Sequence, residues 1–279
     1  MTKVGAVILN YNSYNLILDK EKLLNSYNCL NEIVIVDNCS SNDSFERLKR
    51  MENDKIKVVR TEKNGGYAYG NNYGLKLLEK NNDYAFIINP DVIIENKELE
   101  KIIMMMENNK EFAVLGAIRT SKDNIYNQSQ YWKIPTFWDE FFSYIYLTRK
   151  YLYHKETKYL QTKNEILKVG VVPGCLFLMN LKIGKEIDYF DENTFLYYEE
   201  NILAKKINLL GFKCGICLNS KYIHDHDLSA SKNNSNKKMK RYLYESKKYY
   251  FLNYLNLNPL ERIILNILNY INRIERGIF

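Results

Sequence analysis

Several features are missing from this sequence, and each absence removes a class. No run of 18 apolar residues occurs in its 279 residues, so no segment reads as a membrane span. Met1-Thr2-Lys3 leads straight into Val4-Gly5-Ala6-Val7-Ile8-Leu9, too short an apolar stretch for a secretory leader with a cleavage site. The cysteines number five (Cys29, Cys39, Cys175, Cys214 and Cys217), an odd count at scattered positions that argues for reduced thiols and a cytoplasmic protein. Cys214 and Cys217 make a lone C-x-x-C. With no second pair a structural zinc is short of ligands, and both read as strand or core residues. Neither common phosphate loop is present: no G-x-G-x-x-G follows the first strand signal, and no G-K-[ST] occurs.

What is present is ordinary globular composition, 46% hydrophobic and 26% charged. The net charge of +7 is unevenly placed, with Lys232, Lys237, Lys238, Lys240, Arg241, Lys247 and Lys248 crowded near the C-terminus. Such a patch suits a solvated face, an anionic membrane surface or nucleic acid. The last rests on the patch alone, and no nucleic-acid partner is expected.

Short Val- and Ile-rich strand signals fall at 4–10, 32–37, 55–60 and 84–89. Helical faces lie between and after them: Leu16, Lys20, Leu23, Leu24 and Tyr27; Phe45, Leu48 and Met51; Leu75, Leu77 and Leu78; Leu99, Ile102, Ile103 and Met106. This alternation predicts an α/β fold with a mostly parallel sheet and helices on both faces. The regular pattern is lost over 119–168. A strand signal returns at 168–180, broken by Pro173-Gly174, and a helix bearing Leu203, Ile207 and Leu210 stops at Gly211 before another strand at 212–218. The C-terminal segment reads as helical, with Leu260, Ile263, Ile264, Ile267, Ile271 and Ile274 on one stripe that suits core, membrane or a homodimer contact.

In such sheets ligands sit beyond the carboxyl ends of the strands. The first four strand signals each lead to a polar cluster: Asn10-Tyr11-Asn12, Asp37-Asn38-Cys39-Ser40, the stretch 64–72 (NGGYAYGNN), and Asn89-Pro90-Asp91. Pro90 cannot donate to a ladder, so it ends the strand and lets Asp91 leave the sheet toward the crevice. There a carboxylate suits Mg²⁺ or Mn²⁺, with phosphates and water completing the shell. Asp37 suits a ribose hydroxyl or a base N–H, and Gly65, Gly66 and Gly70 allow close backbone approach to a flat ligand. Each of these also reads as a satisfied turn. Glu199 and Glu200 open a helix, where a carboxylate stays ionised as a general base requires. His224 and His226, two of only three histidines, form an H-x-H that can supplement a carboxylate in holding Mn²⁺.

The order of these clusters resembles family 2 glycosyltransferases of the GT-A fold, nearest the bacterial rhamnosyltransferase-like branch. The resemblance covers roughly residues 3–230 and rests on Tyr-Asn, Val-Asp-Asn-x-Ser, Asn-x-Gly-Tyr-Ala-x-Gly-Asn-Asn, Asn-Pro-Asp, Glu-Glu and the His segment. It implies an inverting transfer of a hexose or deoxyhexose from a UDP- or dTDP-sugar to a glycan or lipid-linked acceptor in surface polysaccharide synthesis. By position it assigns the donor nucleotide to Asn10, Tyr11, Asn12, Asp37, Asn38, Asn64, Gly65, Tyr69, Gly70, Asn72 and Asn89. It assigns a divalent metal, Mn²⁺ or Mg²⁺, to Asp91 with His224 or His226. Glu200 or Glu199 is the base; Glu200 stands where the family commonly has Asp. The implied organisation is a GT-A domain over 1–230, with a donor half over 1–115 and an acceptor half over 116–230. A basic helical extension over 231–279 follows, available for peripheral contact with the inner face of an anionic membrane. A sugar nucleotidyltransferase is the enzymatic alternative, though it would want a glycine-rich loop with a basic residue where Asn10-Tyr11-Asn12-Ser13 stands. A non-catalytic glycan- or nucleotide-sugar-binding module is the other.

Overall fold

The computed structural model describes residues 2–120, 131–143, 165–224 and 236–275. Its strands are β1 (Val4–Asn10), β2 (Glu32–Asp37), β3 (Ile56–Arg60), β4 (Tyr84–Ile88), β5 (Val92–Ile93), β6 (Phe112–Thr120), β7 (Ile166–Val169), β8 (Leu176–Asn180) and β9 (Lys213–His224). The helices are α1 (Tyr14–Leu18), α2 (Glu21–Asn25), α3 (Ser44–Lys49), α4 (Tyr67–Leu78), α5 (Asn96–Asn108), α6 (Phe137–Ser143), α7 (Leu181–Glu186), α8 (Glu199–Leu209), α9 (Asn236–Tyr254) and α10 (Pro259–Glu275).

All the described strands join one sheet in the order β3-β2-β1-β4-β8-β6-β9-β5, with β7 also paired to β9. The β3-β2-β1-β4 half is parallel. β8 enters antiparallel between β4 and β6, and β9 then runs parallel to β6, so the whole sheet is mixed. Strand side chains alternate between two cores. Val4, Ala6, Ile8, Ile33 and Ile35 pack on one face with Ile17, Leu24, Leu48 and Leu99, while Val7, Val34 and Val36 pack on the other with Leu75, Leu78, Leu203 and Ile207. Burial on both faces explains why these strands read as continuous apolar runs.

Four sequence expectations need correction. The first helix is two short ones, and the break lets the Lys20 ammonium donate to the Pro90 carbonyl. Residues 112–120, where no strand was expected, form β6. The signal at 168–180 is two unrelated strands, because the Pro173-Gly174 corner sends β7 to β9 and β8 to a place between β4 and β6. The strand expected at 212–218 runs on to His224, so that histidine sits on the strand rather than after it. Strands from residues 1–115 and from 116–230 join one sheet, and β6 spans residues 115 and 116.

Cys214 and Cys217 belong to opposite cores, as odd spacing on a strand requires. Burial pushes both thiols up to about 12. They cannot converge on a metal. All five cysteines are free. A third cluster of Phe137, Ile202, Tyr250, Phe251 and Leu265 fastens α9 and α10 onto α6 and α8. Among the described residues no helix is long and apolar enough to cross a membrane.

Candidate active site

The register brings the functional groups to one edge. In the parallel ladder Asn10 stands beside Asp37, and Asp37 beside Arg60. The antiparallel entry of β8 puts its N-terminal end, preceded by Pro173-Gly174-Cys175, at the C-terminal end of β4, since Ile88 pairs with Leu176. β5 pairs antiparallel with the end of β9, with Val92 opposite His224. The Asn89-Pro90-Asp91 corner therefore has two tasks. It closes β4, through Asn89 N–H donating to the Cys175 carbonyl at 2.9 Å, and it carries the chain across to β9.

That crossing places the Asp91 carboxylate 3.1 Å from His224 Nε2, with both side chains nearly buried. Burial works against charge on His224, but Asp91 and the nearby Cys175 outweigh it and push the imidazole up to about 9. The pair fits a divalent cation in its donor chemistry: one carboxylate oxygen and one imidazole nitrogen suit Mn²⁺, and a carboxylate alone suits Mg²⁺. Among the described residues no group of three or more His, Cys, Asp or Glu converges. A bound cation would take its remaining ligands from water and phosphate oxygens. His226 lies outside the described residues.

Glu199 and Glu200 begin α8, after Tyr197 and Tyr198, which both hold left-handed backbone at φ 73° and 69°. Two successive non-glycine residues in that region are strained. They turn the chain so that both carboxyls enter the site. Glu200 Oε1 accepts from the Gly174 N–H at 3.2 Å. A Cβ on Gly174 would lie 2.5 Å from that oxygen, so only glycine permits the approach. Glu199 is 2% exposed, and its Oε1 has no hydrogen-bond partner among the described residues. Burial, then the charge of Glu200, raises its carboxyl well above the ordinary range. Glu200 is also raised by burial, but its own N–H and that of Gly174 favour the charged form. Of the pair, Glu199 is the more strongly raised and Glu200 the one whose charged form the backbone favours.

A crevice of about 240 Å³, lined by none of these carboxylates, opens at the same sheet edge, with Tyr11, Asn38, Asn64, Gly66 and Tyr67 from the first part of the chain and Phe195, Lys238, Met239 and Tyr242 from the last. Tyr67 links the two regions. Its hydroxyl donates to the Gly174 carbonyl at 2.5 Å, and the charges of Glu200, Glu199 and Asp91 all act on its buried phenol.

Of the residues assigned to the donor nucleotide, Tyr11, Asn38 and Asn64 line this crevice. Asn10 and Asp37 lie beneath it. Asp37 is fully buried, accepting from Asn10 Nδ2 at 2.8 Å and from the Ser40 N–H at 3.0 Å, with Arg60 Nε 3.6 Å away. Asn12 is held by Ser40 and Ser41. Gly65 lies under the Tyr69 ring, and Gly70 gives Leu9 room to pack against α4. Asn72 turns away and ties α4 to the Phe190 backbone. Asn89 stands on the Asp91 corner. Tyr67, Gly174, Phe195 and Tyr242 were not singled out from the sequence. Tyr67 sits inside the NGGYAYGNN cluster, but which of its two tyrosines turns inward depends on the helix that starts there.

Comparison with known proteins identifies the family and the fold. Residues 6–187 match the profile described as "Glycosyl transferase family 2". The low-salt glycan biosynthesis hexosyltransferase Agl10 of Haloferax volcanii is 24% identical over 232 residues, which span 82% of this chain and 69% of that protein. Among solved structures, the mannosyltransferase PcManGT of Pyrobaculum calidifontis, in complex with GDP-Man and Mn²⁺, superposes with a TM-score of 0.61 at 12% identity, over 97% of this chain and 69% of that one. S. aureus TarS 1-349 in complex with UDP superposes with a TM-score of 0.57 at 16% identity, over 98% and 71%. The family profile spans β1 to α7 and includes the Asp91 corner and the Gly174 loop. The chain belongs to glycosyltransferase family 2: it is a glycosyltransferase with the GT-A fold.

Proposed function

We propose that this enzyme moves a sugar from a nucleoside diphosphate donor to an acceptor hydroxyl on a glycan or lipid-linked glycan, with inversion at the anomeric carbon. One observation carries the reading: the Glu200 carboxyl, seated on the Gly174 N–H, shares a sheet edge with Asp91, His224 and an aromatic- and amide-lined crevice. Glu200 takes the acceptor proton, the acceptor oxygen bonds to the anomeric carbon, and the bond to the diphosphate breaks on the opposite face. Glu199 beside it, when protonated, adds no second negative charge to repel the leaving diphosphate. A divalent cation held by Asp91 and His224 would supply positive charge against that leaving group. The GDP-Man, UDP and Mn²⁺ bound by the structural neighbours support the donor class and the metal.

The test is a thermal-shift panel of UDP-, dTDP- and GDP-sugars and their free nucleotides, with and without Mn²⁺. A ligand at a hundred times its Kd stabilises by about 2.7 kcal/mol, an easily seen shift. A Mn²⁺-dependent shift for one base, lost in Asp91→Ala, is expected. No shift with any nucleotide in folded protein would sink the donor reading and favour the binding-module alternative.

A second observation concerns where the enzyme works. On α10, Leu260, Ile263, Ile267 and Ile271 are 65%, 57%, 54% and 40% exposed, behind the basic start of α9. An exposed apolar stripe on a chain segment that follows clustered cations in sequence supports a helix lying on an anionic membrane, where lipid-linked acceptors reside. The protein is expected to sediment with phosphatidylglycerol vesicles and not with phosphatidylcholine vesicles, and Ile263→Asp with Ile267→Asp should release it. A concentration-dependent dimer with no vesicle binding would assign the stripe to self-association.

A further inference from the structure

The family profile ends at residue 187, yet the crevice at the sheet edge has a wall from beyond it. That wall is the first part of α9, a segment that reads in sequence as a basic solvated face. Tyr242 stacks on Phe195 with ring centroids 4.4 Å apart and planes 27° from parallel. Four hydrogen bonds hold the helix in place. Ser246 Oγ donates to the Leu196 carbonyl at 2.9 Å, Tyr250 to the Pro135 carbonyl at 2.7 Å, and Tyr249 and Tyr254 to the Asp191 carboxylate at 2.8 and 2.5 Å. Residues 191–196 in turn lead to Tyr197, Tyr198 and the two glutamates. The wall and the carboxylates are thus fixed to one another. Among the described residues lining the crevice, Lys238 is the one cation.

These features form two halves of a recognition site. Tyr11 and Phe195 offer flat apolar surface to a ring, with Tyr242 stacked on Phe195 and the Lys238 ammonium 5.7 Å from the Tyr242 ring centroid, while Asn64, held by Asn38 and Gly66, brings an amide to its edge. Stacking of a base on aromatic side chains contributes roughly 1–3 kcal/mol. Lys238, free of a carboxylate in the crevice lining, offers a point charge to phosphate. We propose that α9 belongs to the donor site: Tyr242 and Phe195 form the wall against which the nucleoside lies, and Lys238 sets its ammonium against the diphosphate. This deepens the donor reading above and rests on it. The C-terminal helix is then part of the catalytic unit rather than an appended module.

Calorimetry on the full chain tests this, using UDP, GDP and dTDP, and the nucleoside of whichever diphosphate wild type binds most tightly. Lys238 is exposed, so Lys238→Ala should fold normally. It is expected to weaken the diphosphate about tenfold, leave the nucleoside unchanged, and remove part of the loss of affinity that added NaCl causes. Tyr242→Ala should weaken diphosphate and nucleoside alike, and Tyr242→Phe, which keeps the ring, should restore both. If wild type binds a diphosphate and Lys238→Ala and Tyr242→Ala bind it equally well, α9 is no part of the site, while the donor reading stands. If wild type binds none of the three, both readings fall.

Discussion

Glu200→Gln is expected to lower kcat about a thousandfold while leaving nucleotide affinity within a factor of two, because general-base catalysis contributes roughly 10²–10⁴. Glutamine keeps an oxygen for the Gly174 N–H, so the loop it rests on should not move. Glu199→Gln is expected to retain most activity, since Glu199 is the more strongly raised of the pair. The reverse ranking of the two variants would exchange their roles. The same carboxyls set the pH response. Burial raises both above the ordinary range, so kcat/KM should fall on acidification with a midpoint above the usual carboxylate value of about 4.3. Stability should respond in the opposite sense. A carboxyl with a folded pKa above its unfolded one makes the folded chain bind more protons, so stability is lost as pH rises through the raised value. Glu199→Gln cannot ionise and removes that loss. It should melt above wild type at pH 8, and the difference should vanish below about pH 4. An unchanged Tm at pH 8 would mean that Glu199 is not the strained, desolvated group described.

How far the sequence carried this site varies with the kind of contact involved. β1, β2, β3 and β4 were readable because strands buried on both faces leave short, continuous apolar runs, and each run ended in its own polar cluster. That was enough to place Asn38, Asn64 and Asp91 on one edge. β6 was not readable. Gly116 interrupts its centre, where a Cβ would meet Val172 at 2.6 Å, and glycine weakens a strand signal while marking a close approach. The partner of Asp91 was half readable: two histidines two residues apart were visible, but only the extension of β9 to His224 put that one opposite Val92. The α9 wall was invisible. The stack of Tyr242 on Phe195 joins residues 47 positions apart across a helix whose local pattern reads as charge and tyrosine. Likewise, the choice of Tyr67 over Tyr69 depends on the phase of α4, which its glycine-rich start sets.

That start leads to the second large expectation. Gly66→Ala should destabilise the fold by about 3–5 kcal/mol and abolish nucleotide binding, whereas Gly65→Ala, one residue away, should cost clearly less. Gly66 has φ 91° and ψ −174°, a region essentially closed to residues with a Cβ. Such a Cβ would also lie 2.1 Å from the carbonyl oxygen of Phe195. That obstacle is backbone, and the oxygen is already engaged, accepting from the Tyr67 N–H at 2.9 Å. Relief requires the 195–200 segment to move, and with it Phe195, the strained Tyr197 and Tyr198, and both glutamates. At Gly65 the φ is unexceptional and the obstacle is the Tyr69 side chain, whose partly exposed ring can swing outward while its Cβ, 2.7 Å from the added one, has to shift with the helix start. A chain of this kind is stable by only about 5–15 kcal/mol, so the Gly66 change consumes a large part of its margin. Urea denaturation of the two variants side by side measures the difference. Equal midpoints would mean that the 66–195 contact gives way freely, and that the glutamate helix is not held in place from the start of α4.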